Sequence, residues 1–61
     1  MIRRHRTRLG WSMRELARRT GLHAGSISRY ESGENIPTLP VAIRLARVLG
    51  VPVEKLFKGM R

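Results

Sequence analysis

The sequence predicts an all-α fold of five short helices. Three observations point there. Punctuation at Gly10, Gly21, Gly33, Pro37, Gly50 and Pro52 divides the chain into five segments of helical length. Within those segments apolar residues recur at three- and four-residue spacing. No segment alternates with period two and β-branched residues do not cluster, so strands find no support. The 61 residues suit one domain, expected to span 1–61.

The first helix is expected from about Ile2 to Leu9, stopped by Gly10, with Arg3, Arg4, Arg6 and Arg8 on its outer face and His5 as a plain exposed residue. The second opens on Ser12 as N-cap with Glu15 three positions on, a capping-box spacing, and Trp11 ahead of it as a staple residue. Leu16, Ala17 and Thr20 form its inward stripe, and Gly21 ends it. The third runs from about His23 to Ser32. With its inward direction placed on Ile27, His23, Ala24, Tyr30 and Glu31 fall within about 60° of that direction. Gly25, Ser28, Arg29 and Ser32 then point outward. Glu31 on the inward face requires a cation, because a buried unpaired charge is costly.

After a loop from Glu34 to Pro37, Thr38 caps a fourth helix over Leu39–Leu49, with Pro40 in the first turn, where its missing N–H is tolerated. Leu39, Ala42, Ile43, Ala46 and Leu49 make one apolar stripe, and Val41, Leu45 and Val48 a second beside it. A helix apolar over that much of its girth belongs at the centre of a core or at an interface. Gly50 ends it, and Pro52 begins a short fifth helix carrying Val53, Leu56 and Phe57.

Charge narrows the function. Thirteen Lys and Arg against four acids leave a formal charge of +9, which favours a polyanionic partner. There is no cysteine, and His5 and His23 are too few and too far apart for an ordinary zinc site, so no metal or cofactor is expected. No apolar run approaches the roughly 18 residues of a membrane span. The basic start is not followed by the apolar segment of a secretory signal, so a cytoplasmic protein is expected. A polybasic membrane binder would need exposed bulky apolar residues, and the first helix offers only Ile2 and Leu9. With 5% aromatics the chain has no platform for stacking single-stranded bases. An enzyme is not expected: there is no Asp, no acid–base pair and no nucleophile–base pair, and no small-molecule substrate is implied.

The informative stretch is Ser12 to Gly33, where two short helices are joined by a tight turn at Gly21. Small Ala17 allows a close crossing, Leu22 plugs the turn and Ile27 anchors the second helix, which together specify a helix-turn-helix. The pattern resembles the lambda-repressor-like (Cro/repressor-type) helix-turn-helix family. The resemblance is carried by Leu9-Gly10-Trp11-Ser12, Glu15-Leu16-Ala17, Gly21-Leu22, Ile27-Ser28-Arg29, Glu31-Ser32-Gly33, Pro37, and Ala46 through Leu49-Gly50-Val51 with Leu56-Phe57.

The resemblance implies a five-helix DNA-binding domain whose third helix enters the major groove. Members usually bind palindromic operators as dimers and act as repressors, activators or antitoxins. Matching positions would set Ala24, Gly25, Ser28 and Arg29 against bases. Ser12, Met13, Arg14, Arg18, His23, Ser26 and Asn35 would lie against the sugar-phosphate backbone. Arg29 is the expected reader of guanine, since a guanidinium contacts O6 and N7 in a bidentate way. Arg6, which matches a first-helix arginine of the family, is the expected partner of Glu31. Val51, Val53, Phe57 and Met60 are the expected homodimer surface. Three positions depart from the pattern: Met13 stands where a glutamine is common, Ala24-Gly25 where long polar side chains are common, and Glu34 where a base is common. The expected function is a sequence-specific regulator of transcription, a repressor by preference. An antitoxin or adaptor whose main partner is a protein stays open beside it.

Overall fold

The computed structural model describes residues 2–56. The elements are α1 (Ile2–Arg8), α2 (Met13–Thr20), α3 (Ala24–Ser32), α4 (Leu39–Leu49) and α5 (Val53–Leu56), with no strand among the described residues. Phe57 and Met60, expected at a dimer surface, lie outside them.

The core gathers one to three side chains from every helix. Ile2, Leu16, Ala17, Ile27, Leu45, Ala46, Leu49 and Leu56 are buried together. Trp11, Leu22, Ala24, Tyr30, Val41, Val48, Val51 and Val53 lean on that cluster while half-exposed. Each of the five large, fully buried side chains adds about 1.5–3 kcal/mol over its exposed state.

Several sequence expectations change in the fold. Arg6, expected on the outer face of α1, is buried. The core face of α4 is Ala42, Leu45, Ala46 and Leu49, a line drawn from both predicted stripes. Leu39 and Ile43 stay 60% and 41% exposed. The apolar girth of α4 is wider than the arc its neighbours cover, so the outer edge of the first stripe faces solvent. The capping box forms only by half. The Ser12 hydroxyl accepts the Glu15 N–H at 3.0 Å, but the Glu15 carboxylate turns to Arg18 and Arg19. Two guanidiniums one turn away outcompete a single backbone N–H, since charge-assisted bonds are the stronger. His5 is half-buried rather than exposed, and its Nδ1 is shielded from solvent without a hydrogen-bond partner.

Candidate nucleic-acid interface

The unit built by α2, its turn and α3 begins at Ser12, whose extended backbone and hydroxyl cap α2. Leu16, Ala17 and Thr20 turn inward, and Thr20 Oγ1 donates back to the Leu16 carbonyl at 2.8 Å, so its hydroxyl is satisfied without water. The helix ends where Gly21 takes φ +74°, a left-handed conformation that side chains with a Cβ rarely adopt. The Leu22 N–H then donates to the Ala17 carbonyl at 3.1 Å, which closes the turn and aims the chain into α3.

Ile27, with no exposed surface, pins the centre of α3. Its opposite face, Gly25, Ser28, Arg29 and Ser32, is exposed. That face offers bare backbone at Gly25, a hydroxyl at Ser28 and a guanidinium at Arg29. Ala24 instead leans half-buried on the core, and Ser26 is half-buried beside Ile27. The Ser32 hydroxyl is occupied locally, donating to the Arg29 carbonyl at 3.1 Å. His23 is the exposed N-cap and supplies no side-chain cap. The N–H groups of Ala24 and Gly25 at the start of α3 therefore remain open to an anion. An added Cβ at Gly25 would meet nothing within 4 Å, so the fold itself does not require glycine there.

The arginines divide by what they touch. Arg6 is committed to structure: its Nε and Nη2 donate to the two Glu31 oxygens at 2.7 and 3.1 Å, and its Nη1 donates to the Trp11 carbonyl at 2.8 Å. The pair ties α1 to α3 with both side chains about nine-tenths covered. Arg18 and Arg19 share Glu15, whose carboxyl is held below its usual range mainly by the Arg18 hydrogen bond. Arg19 also lies 4.2 Å over the Trp11 ring. Arg14 is exposed, and no acid among the described residues pairs with it. Met13 and Asn35 are exposed too, and the Asn35 N–H donates to the Arg29 carbonyl at 3.3 Å.

Two residues that the sequence noted without a place at the interface lie beside the exposed face of α3. Arg3 joins Met13, Ser28 and Ser32 around a cleft of about 320 Å³ floored by Arg6 and Glu31, which sets a free cation beside the exposed face of α3. The signal was available: Arg3 precedes Arg6 by one turn and shares its face. The second is Glu34, whose carboxylate lies 3.9 Å from Arg29 Nε. Val51 and Val53, expected at a dimer surface, pack half-buried against the core. Among the described residues the large exposed apolar side chains are Leu9, Met13, Ile36, Leu39 and Ile43. Among the described residues no cluster of three metal-ligating side chains forms, and no helix is long and apolar enough to cross a membrane.

Comparison with known proteins gives one consistent picture. A family model described as helix-turn-helix matches residues 2–56. An uncharacterised HTH-type transcriptional regulator of Methanothermobacter thermautotrophicus is 44% identical over 50 residues, covering 82% of this chain and 72% of that protein. One of Archaeoglobus fulgidus is 36% identical over 56 residues, covering 92% and 80%. A protein of Pyrococcus furiosus, named provisionally as an HTH-type transcriptional regulatory protein, is 39% identical over 54 residues; the match covers 88% of this chain but spans only 17% of that relative's length. No solved structure matches the chain.

Proposed function

Because the chain belongs to the lambda-repressor-like helix-turn-helix family of DNA-binding transcription regulators, we propose that it binds a specific duplex sequence through α3 and represses transcription. One observation carries the reading: Ile27 anchors α3 while Gly25, Ser28 and Arg29 stand exposed on its far side. A helix so presented fits the major groove, with Arg29 addressing guanine and Gly25 allowing close approach of backbone to DNA. Ala24, half-buried, would meet a thymine methyl at most. Ser12, Met13, Arg14, His23, Ser26 and Asn35 would flank the phosphates, joined by Arg3. Arg18, already paired with Glu15, would contribute less than Arg14.

Two copies would set their recognition helices about 34 Å apart on a palindrome. The dimer surface would draw on Val51 and Val53, together with Phe57 and Met60, which lie outside the described residues. Selection from a random duplex library at roughly 150 mM salt tests the reading. The expected result is an enriched palindrome with a guanine in each half-site. Affinity without any enriched motif, collapsing as salt rises, would overturn it.

A second reading, an adaptor or antitoxin-type module with secondary DNA binding, is favoured by a different observation. Ile36, Leu39 and Ile43 are 74%, 60% and 41% exposed, an unusual display of large apolar side chains for so small a domain. This reading expects Leu39→Glu to abolish a protein complex while leaving DNA binding intact.

A further inference from the structure

We propose that Glu34 is a positioning residue for Arg29, holding its guanidinium for guanine; the proposal rests on the reading of Arg29 given above. The ion pair between Arg29 Nε and Glu34 Oε2, at 3.9 Å, is long, and its side chains are 52% and 69% exposed. The backbone on either side of the pair is fixed by hydrogen bonds. The Asn35 N–H and the Ser32 hydroxyl both donate to the Arg29 carbonyl, at 3.3 and 3.1 Å. The Ser32 hydroxyl in turn accepts the Glu34 N–H at 3.4 Å. The backbone of residue 34 is thereby tethered to that of residue 29, which keeps the carboxylate within reach of the arginine.

The geometry suits base reading. A guanidinium carries five N–H donors in a rigid fork. The carboxylate lies on the Nε side, 3.9 Å away, which leaves the two terminal nitrogens to face guanine O6 and N7 end-on. Restraining the long side chain beforehand reduces the freedom it loses on binding. The carboxylate also offsets the charge of Arg29, which weakens its attraction to phosphates that carry no sequence information. The other acids of the helix-turn-helix, Glu15 and Glu31, are committed to Arg18, Arg19 and Arg6. Glu34 is thus an acid where phosphate binding alone would favour a base, and its contribution is discrimination rather than affinity.

The test measures binding of the selected duplex, and of the same duplex with its half-site guanines replaced, by wild type, Glu34→Gln, Arg29→Ala and the double variant. Glu34→Gln is a near-isosteric change at an exposed loop, and circular dichroism checks that it folds. It should reduce discrimination for guanine ~3-fold, the scale of an exposed ion pair. It should also raise affinity for the guanine-free duplex and steepen the salt dependence by about 0.9 in log–log slope. In the Arg29→Ala background Glu34→Gln should shift both duplexes by one common factor. If Glu34→Gln shifts both duplexes equally in the wild-type background, Glu34 acts only by repulsion and the proposal is overturned, with base reading by Arg29 untouched. If Arg29→Ala itself leaves discrimination unchanged, the base-reading assignment fails and the proposal falls with it.

Discussion

Gly25→Ala should make the protein more stable and a worse DNA binder. Gly25 is in the first turn of α3, exposed, with a helical backbone and no atom within 4 Å of where a Cβ would lie. Alanine is favoured over glycine in a helix by about 1 kcal/mol in the interior, because the glycine backbone loses more freedom on folding. Gly25 is the second residue of the helix rather than an interior one, so the gain should fall near the lower end, about 0.5 kcal/mol. For a domain of this size that raises Tm by about 2–4 °C. Against DNA the added methyl stands where the backbone is proposed to approach most closely, and the loss should match a mismatched base pair, about 1–3 kcal/mol or roughly 5- to 150-fold. Thermal unfolding and fluorescence anisotropy on one preparation read both quantities. A raised Tm with unchanged affinity would refute the idea that DNA approaches α3 at this position. A lowered Tm would refute the helix geometry itself.

Other perturbations have equally definite signs. Arg6→Met leaves the Glu31 carboxylate buried without its partner and should destabilise by about 3 kcal/mol in urea unfolding, whereas Arg6→Met with Glu31→Leu should recover most of that loss. Burial first, and the Arg8 and Arg4 charges next, hold His5 below the ordinary histidine value of 6.5. The unfolded chain therefore takes the proton first, so the stabilising contribution of neutral His5 is complete above 6.5 and is lost as pH falls through the lower folded value. His5→Gln should flatten that acid limb of stability against pH. Arg14→Ala should reduce the salt slope of DNA binding by about 0.9, the full value of one phosphate contact. Arg18→Ala should change it less, because Glu15 already offsets that charge; equal slopes would contradict this division.

Much of the fold was legible because its punctuation is local. Thr38, Pro40 and Gly50 bracket α4 at Leu39–Leu49 without reference to anything distant. Gly21 and Leu22 mark the turn before α3 in the same way. What periodicity could not supply was the choice between two adjacent apolar stripes on α4. That choice depends on where α2 and α5 pack, and it left Leu39 and Ile43 outside. Glu15 misled for a related reason: the capping-box spacing is genuine, but Arg18 and Arg19 follow at three and four residues and compete for the same carboxylate. The contact between Arg29 and Glu34 spans a helix end and a glycine, so no helical spacing announces it. An inward Glu31 asked for a cation, while the third bond of Arg6, to the Trp11 carbonyl, is visible only once the chain is folded.

The central claim is that DNA is read by the exposed face of α3, and an amide chemical-shift titration of the labelled protein with its selected duplex tests it most directly. The largest perturbations should map to Gly25, Ser28 and Arg29, with smaller ones at Ser12, Met13 and Arg14 and little change at Leu39 and Ile43. Perturbations centred on Ile36, Leu39 and Ile43, with Gly25 to Arg29 unmoved, would contradict it.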